Sequence, residues 1–133
     1  MAIYVRNAKV LVVDDNQVNQ LLAKGVLSAF EPQMDFAGSG AEAILLVKAN
    51  TYDMIFMDLL MPEMDGIETV AKLIGEGMQL PPIIALTGKT EADCSLRDLK
   101  SHGFVDFIKK PAKGKDMERV LSLYLKKSLI TEK

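Results

Sequence analysis

Three aspartates stand directly after short apolar runs of the chain, where their carboxylates could act together. Asp14 and Asp15 follow residues 10–13, and Asp58 follows residues 54–57. A single aspartate at such a place is more often a helix cap or a turn former. Three carboxylates held close together would, however, repel one another and raise each other's pKa unless a cation lay between them. Hard oxygen ligands of this kind favour Mg²⁺.

A threonine and a lysine occupy comparable places further along the chain. Thr87 ends the apolar run that begins at residue 83, and Lys110 with Pro111 comes just after the run at residues 104–108. The ammonium group of Lys110 could pair with a carboxylate or with an added phosphoryl group, and the hydroxyl of Thr87 could donate a hydrogen bond. These residue types could serve a divalent cation and a phosphoryl group.

The elements that must position these residues alternate along the chain. Four short runs are apolar at nearly every position, which is typical of strands buried on both faces. They are residues 10–13, 54–57, 83–86 and 104–108, and residues 34–37 are a candidate for a further strand. Stretches with helical spacing follow them, near residues 18–29, 39–48, 67–74, 91–101 and 117–125. The alternation predicts an α/β fold, a doubly wound parallel sheet with helices on both faces, which binds ligands at the carboxyl ends of its strands.

Several helix ends are marked in the sequence. Asn16 could cap the first helix, and Ser39 followed by Glu42 is the pattern of a capping box at the start of the second. Gly103 is placed to end the helix near residues 91–101. These signals support three of the five predicted helices.

Length and composition exclude several classes of protein. The 133 residues fit one domain, expected over residues 3–128, with residues 129–133 as a polar tail. The apolar runs are too short to cross a bilayer and the start of the chain lacks the pattern of a secretory signal. We therefore expect a cytoplasmic protein without membrane insertion.

The charged and sulfur-containing residues exclude two kinds of site. Cys94 is the single cysteine and His102 the single histidine, so a zinc site of thiolates and imidazoles is excluded and any metal must be held by oxygen. The net charge is −2, and eight of the sixteen basic residues lie after residue 108. That stretch is not interleaved with aromatic residues, so we expect solvated lysines and no direct nucleic-acid binding.

Four segments, in their order and spacing, resemble the receiver domains of two-component response regulators. They are VLVVDDN at residues 10–16, DMIFMDLLMPEMDG at 53–66, ALTG at 85–88 and IKKP at 108–111. The resemblance covers nearly the whole chain, and the joint match is far more specific than any one motif. It implies a flavodoxin-like fold whose five strands lie in the order 2-1-3-4-5.

The resemblance also implies roles for the residues that match the motifs. Asp58 would be the phosphoacceptor, and Asp15, Asp58 and the backbone carbonyl of Leu60 would hold Mg²⁺, with Asp14 helping through water. Thr87 and Lys110 would contact the phosphoryl oxygens. The other matching positions are a shaped loop after the acceptor at Met61, Pro62 and Gly66 and a cis peptide before Pro111.

Signalling is implied in the same way. The phosphoryl group would come from a sensor histidine kinase or a histidine phosphotransfer protein. Thr87 would then move toward it and Phe107 would swing inward. The face formed by the fourth helix, fifth strand and fifth helix would change shape for a downstream output protein or domain, with a phosphorylation-dependent dimer as a further possibility. The chain would be a self-modifying switch with slow autodephosphorylation, and no enzyme acting on other substrates.

The sequence departs from the commonest pattern at two places and leaves two alternatives. Phe107 stands where many receivers have tyrosine, and Gly88 where alanine or serine is commoner. A metal-dependent phosphatase with an aspartate nucleophile would typically need a second aspartate where Leu60 stands. A pseudo-receiver would usually lack part of the acidic pocket. Two origins fit the sequence, a free-standing regulator and the receiver of a longer hybrid histidine kinase, whose receivers often have the two asparagines found here at Asn16 and Asn19.

Overall fold

The computed structural model describes residues 3–88 and 96–132. Its strands are β1 Ile3–Tyr4, β2 Lys9–Val13, β3 Gln33–Ala37, β4 Met54–Asp58, β5 Ile83–Thr87, β6 Asp106–Lys109 and β7 Thr131–Glu132. Its helices are α1 Gln17–Leu27, α2 Gly40–Ala49, α3 Gly66–Gly75, α4 Leu96–Ser101 and α5 Gly114–Tyr124, with 3₁₀ turns at Ser28–Phe30 and Lys127–Leu129. Residues 91–95 of the predicted fourth helix lie outside the described ranges.

The five longer strands form one parallel sheet in the order β3-β2-β4-β5-β6. Counted without the short β1, this is the predicted order 2-1-3-4-5, so the prediction of a doubly wound, flavodoxin-like α/β fold is confirmed. The order reverses at β2, because β3 lies on one side of it and β4 on the other. The carboxyl ends of β2 and β4 therefore flank the switch point of the sheet.

Both faces of the sheet are covered, which explains the continuous apolar runs. Alternate residues of each strand point to opposite faces. Val12 and Phe56 pack in a cluster with α1 and α5, whereas their neighbours Leu11 and Ile55 pack in a second cluster with α2, α3 and α4. All four side chains are fully buried. A strand with cores on both sides has no position left for a solvated polar residue.

The helix starts follow the predicted signals with one difference. The side chain of Asn16 accepts hydrogen bonds from the first turn of α1, as predicted. Ser39 accepts one from the N–H of Glu42 at 3.1 Å. The Glu42 carboxylate, however, accepts from the N–H of Gly38 instead of completing the box at Ser39.

The last strand of the sheet begins later than the apolar run at residues 104–108 predicts. The N–H of Phe104 donates to the carbonyl of Leu99 at 3.0 Å, so this residue is part of the turn that follows α4 and not of the strand. Gly103 allows the turn between them with a φ of 97°. Phe104 is buried all the same, because its side chain fills the core from the turn.

The two ends of the described chain form a small ribbon that the sequence did not reveal. β1 pairs antiparallel with β7, with Ile3 opposite Glu132 and Tyr4 opposite Thr131. Ile130 is partly buried against the core, although residues 129–133 were expected to be a polar tail. Strands of two residues are too short to show an alternating pattern. The domain limits at residues 3 and 128 stay a prediction.

Candidate functional site

Four of the predicted site residues meet at the carboxyl edge of the sheet. Asp58 and Thr87 are the last residues of β4 and β5. Asp14 follows β2 directly, and Lys110 follows β6 directly. Because the strands are parallel, these four places lie side by side. Three of the four side chains are almost fully buried: Asp14 is 1% exposed, Asp58 4% and Thr87 5%.

The three predicted acidic ligands converge. Asp14, Asp15 and Asp58 each offer a carboxylate oxygen, and these oxygens lie within 4.8 Å of one another. Asp15 is exposed, so the cluster opens to solvent on its side. The donor set is entirely oxygen, with room for water, which is the chemistry that Mg²⁺ prefers. The residues present therefore fit this cation.

Lys110 links two of the carboxylates. Its Nζ lies 2.8 Å from Asp14 Oδ2 and 3.1 Å from Asp58 Oδ1. Its backbone N–H donates to the carbonyl of Thr87 at 2.7 Å, and the peptide bond to Pro111 is cis, as predicted. Burial opposes the charged ammonium, but the hydrogen bonds to the two carboxylates outweigh it and raise the pKa of Lys110.

The pKa of the Asp58 carboxyl group is raised, mainly because the group is buried. Burial raises its pKa most, and the adjacent Asp14 raises it further. The hydrogen bonds from Lys110 and from the N–H of Leu60, at 3.2 Å, lower it without cancelling the rise. Among the described residues, Lys110 is the ammonium that contacts Asp14 and Asp58, and Asp15 brings a third carboxylate to the same place. A further cation would lower this repulsion.

The loop after Asp58 wraps closely around its backbone. At Gly66 an added Cβ would overlap the carbonyl oxygen of Asp58, so only glycine fits. The N–H of Gly66 donates to the carbonyl of Leu59 at 3.2 Å, and the carbonyl of Pro62 accepts from Met64 at 2.7 Å. Met61 is buried in the core. The loop therefore holds the end of β4 in place and leaves Leu60, 58% exposed, beside the acidic cluster.

The two predicted switch residues lie on neighbouring strands. Thr87 ends β5, and Phe107 on β6 is paired with Ala85, two residues before Thr87. Phe107 is partly buried and packs against the core cluster under α2, α3 and α4. Gly88 is exposed.

A second group of polar side chains was missed by the sequence analysis. Asp106, 7% exposed, accepts from Arg119 Nη1 at 2.6 Å, from the Tyr124 hydroxyl at 2.8 Å and from the N–H of Phe107 at 2.7 Å. Burial alone would raise the pKa of Asp106, but these donors lower it. The signal in the sequence is an aspartate inside an otherwise apolar run, which requires nearby donors.

Two amide side chains of α1 were also missed. Asn19 Nδ2 lies 3.4 Å from Asp14 Oδ1, and Gln20 Nε2 lies 2.7 Å from the carbonyl oxygen of Asp14. The N–H of Asn16 also donates to Asp14 Oδ1, at 3.0 Å. The first turns of α1 therefore hold Asp14 by both its carboxylate and its backbone.

Among the described residues, no helix is long and apolar enough to cross a bilayer.

Comparisons with known proteins agree with this geometry. The family model of the response regulator receiver domain matches residues 10–122. The hybrid signal transduction histidine kinase L of Dictyostelium discoideum is 34% identical over 87% of this chain and 7% of its own length. The chain spans 6% to 16% of the length of several curated histidine kinases that it matches.

Solved structures of similar size share the fold. The receiver domain of the sensor histidine kinase PA1611 of Pseudomonas aeruginosa, described with a magnesium ion coordinated in its active site cleft, has a TM-score of 0.77 and 28% identity. The alignment covers 89% of this chain and 97% of that one. The chemotaxis protein CheY4 of Vibrio cholerae has a TM-score of 0.77 and 27% identity, over 90% of this chain and 99% of that one. The chain belongs to the receiver domain family of two-component response regulators.

Proposed function

We propose that this chain is a phosphorylation switch that accepts a phosphoryl group on Asp58 with the help of Mg²⁺. The observation that carries the proposal is the ammonium of Lys110 between Asp14 and Asp58, beside a third carboxylate. In that arrangement Asp58 is nearly buried, and burial raises its pKa in spite of the hydrogen bonds that it accepts. Such a carboxylate suits an added cation and a phosphoryl group better than it suits a purely structural role.

The transfer step follows from this geometry. A carboxylate oxygen of Asp58 attacks phosphorus in line, the new oxygen–phosphorus bond forms, and the bond to the donor's leaving group breaks. The ammonium of Lys110 can bind the phosphoryl oxygens once they are attached to Asp58, because its Nζ already lies 3.1 Å from that carboxylate. The product is an acyl phosphate. The hydroxyl of Thr87, at the end of the adjacent strand, donates to a phosphoryl oxygen.

The metal would be held by Asp15, Asp58 and the backbone carbonyl of Leu60, with Asp14 acting through water. The indirect role of Asp14 is supported by its contacts, because its carboxylate already accepts hydrogen bonds from Lys110, Asn16 and Asn19. When bound, Mg²⁺ supplies positive charge that offsets the charge gathered around the transferring group. Asp15 supports direct ligation because it is exposed at the open side of the cluster.

The phosphoryl group returns to water slowly in this proposal. Water attacks the acyl phosphate and restores the carboxylate of Asp58. Leu60 is 58% exposed beside Asp58, so its apolar side chain hinders the approach of the attacking water. Leu60→Asn should shorten the lifetime of the phosphorylated chain. An unchanged lifetime, followed by intact mass after removal of the donor, would contradict this role.

The signal passes to the face formed by α4, β6 and α5. Thr87 moves toward the phosphoryl group and Phe107 fills the vacated space. This role of Phe107 is supported by its partial burial and by its pairing with Ala85 on the neighbouring strand β5. Lacking a hydroxyl, it acts through packing alone. The reshaped face binds a downstream output protein or domain, or a second copy of the chain.

The phosphoryl donor is the phosphohistidine of a sensor histidine kinase or of a histidine phosphotransfer protein, in the cytoplasm. The similarity to hybrid histidine kinases supports this class of donor. Two contexts fit equally: a free-standing regulator and the receiver of a longer hybrid kinase. In both, the chain modifies itself and has no separate substrate.

The test is intact mass after incubation with acetyl phosphate and Mg²⁺, or with a phosphorylated histidine kinase. We expect one phosphoryl adduct that alkali or hydroxylamine removes, that does not form when a chelator binds the Mg²⁺, and that is absent from Asp58→Asn. Asp53→Asn is the matched control, since Asp53 directly precedes β4 and so lies at the opposite end of the strand from Asp58. An adduct that persists in Asp58→Asn would contradict the proposal.

A further inference from the structure

Two consecutive amide side chains of α1 lie against the first aspartate of the acidic pair. Gln20 Nε2 donates to the carbonyl oxygen of Asp14 at 2.7 Å and lies 3.4 Å from the carbonyl oxygen of Ala37. Asn19 Nδ2 lies 3.4 Å from Asp14 Oδ1. The shortest of these contacts is that of Gln20, and it is made to the backbone of Asp14.

The contact falls where the hydrogen bonds of the sheet end. β2 pairs with β3 up to Val13 opposite Ala37. One residue later the N–H of Asp14 still donates to the carbonyl of Ala37, at 3.0 Å. The carbonyl of Asp14 lies beyond the ladder, and Gln20 supplies a donor for it. A buried carbonyl at a strand end needs such a donor.

Holding this carbonyl fixes the peptide that joins the two acidic residues. A peptide group is planar, so the position of the Asp14 oxygen sets the direction in which the chain continues to Asp15. Asp15 is exposed and no strand or helix holds it. Its carboxylate nevertheless lies within 4.8 Å of those of Asp14 and Asp58. The orientation of the preceding peptide is therefore a main determinant of that convergence.

The carboxylate of Asp14 is held from the same helix. Its Oδ1 accepts from the N–H of Asn16 at 3.0 Å, with Asn19 nearby, and its Oδ2 faces Lys110 at 2.8 Å. The backbone contact of Gln20 and the side-chain contact of Asn19 thus act on one residue from adjacent positions of α1. The pair fixes both the carboxylate and the peptide of Asp14.

We propose that Gln20 is a positioning residue for the cation site, assisted by Asn19. It touches neither the cation nor the phosphoryl group, and acts by holding the Asp14–Asp15 peptide so that the two carboxylates face Asp58. This inference rests on the proposed function, because it assigns Gln20 a role in the Mg²⁺ site proposed there. Loss of its donor should weaken Mg²⁺ binding while leaving the carboxylates themselves unchanged.

The test is the dissociation constant for Mg²⁺, measured by calorimetric titration of the unphosphorylated chain. Gln20→Met keeps the length of the side chain and removes its donor, and Gln20→Asn keeps the amide but shortens its reach. Both should raise the Mg²⁺ dissociation constant roughly tenfold, as is usual for residues that orient metal ligands. At saturating Mg²⁺ the rate of phosphorylation should stay within about twofold of the wild type, since the reacting groups are intact.

Gln17→Met is the matched control, because Gln17 is an exposed glutamine in the first turn of α1. It should bind Mg²⁺ as the wild type does. A fall in melting temperature of the Gln20 variants with an unchanged Mg²⁺ dissociation constant would show a purely structural role and overturn the inference. Failure of the wild type to bind Mg²⁺ would instead contradict the proposed function, so the two failures are distinguishable.

Discussion

Asp58 and Asp106 are two nearly buried aspartates of one sheet with different surroundings. Three donors of the chain converge on Asp106, among them the guanidinium of Arg119, and they lower its pKa against the effect of burial. Asp58 shares the ammonium of Lys110 with Asp14, and its pKa is raised, chiefly by burial. Hydrogen bonds thus outweigh the effect of burial on the pKa of Asp106, whereas burial outweighs the hydrogen bonds at Asp58.

The difference is the one that we expect between a structural carboxylate and the reactive carboxylate that we propose at Asp58. A buried charge with a full set of donors can stay ionised and hold two elements together, as Asp106 does between β6 and α5. A buried charge with too few donors raises the free energy of the ionised state until a cation or a covalent change relieves it. The comparison therefore predicts that Asp58 governs chemistry and that Asp106 governs stability.

The largest effect should come from removing the ammonium that the reactive site has. Lys110→Met should slow phosphorylation by acetyl phosphate roughly 100-fold, because charge in the transferring group is then poorly offset. The rate is followed by intact mass at saturating Mg²⁺. Lys109→Met, an exposed neighbour, is the control and should react as the wild type does. A Lys110→Met rate within about threefold of the wild type would remove Lys110 from the transfer step.

The same substitution at each aspartate should have opposite effects on stability. Asp106→Asn should lower the free energy of unfolding by about 2 kcal/mol, since it breaks an ion pair that is only partly screened by solvent. Asp58→Asn should leave it unchanged or raise it by about 1 kcal/mol, because it removes a carboxylate next to Asp14. Urea unfolding without Mg²⁺ measures both. Equal losses in the two variants would contradict the comparison.

Mg²⁺ should stabilise only chains that keep the reactive carboxylate. At about ten times its dissociation constant, the ion should raise the free energy of unfolding of the wild type by about 1.4 kcal/mol. Asp106→Asn should gain the same amount and Asp58→Asn much less. Thermal unfolding with and without the ion measures the gain, with Ca²⁺-free buffer and a chelator as controls. A full gain in Asp58→Asn would place the ion elsewhere.

The smallest effect should be the dependence of stability on pH. The raised pKa of Asp58 means that the folded state binds its proton more readily than the unfolded state, whose value is near 3.8. The wild type should therefore gain stability relative to Asp58→Asn as the pH falls from neutral to about 4.5.

Asp106 has the opposite linkage. Because its pKa is lowered from 3.8, its contribution is complete above that pH and is lost only as the pH falls through the folded value. The stability difference between the wild type and Asp106→Asn should therefore stay constant from neutral pH to about pH 4.5. Urea unfolding across this range measures both differences. A constant difference for Asp58→Asn would contradict the linkage assigned to Asp58.

The carboxyl-edge site was predictable because its parts follow from the fold class. Parallel strands place the residues after each apolar run side by side, so the meeting of Asp14, Asp58, Thr87 and Lys110 could be expected from their places in the chain. The close turn at Gly66 and the order of the strands were expected only from the resemblance to receiver domains.

The remaining contacts depend on which helix face meets which strand. Arg119 and Tyr124 lie 13 and 18 residues after Asp106, and only the packing of α5 against β6 brings them to it. Gln20 reaches Asp14 in the same way from α1. Nothing in the spacing of polar residues on a helix identifies their partner on another element. The β1–β7 ribbon was missed because its strands have only two residues each.

The most direct test of the account is to locate the phosphoryl group. After reaction with acetyl phosphate and Mg²⁺, borohydride reduction converts an aspartyl phosphate to homoserine, which peptide mass mapping assigns to a position. The account predicts homoserine at position 58 and an unmodified Asp106. Modification of Asp106, or a phosphorylated chain with an intact Asp58, would contradict the assignment of the reactive carboxylate.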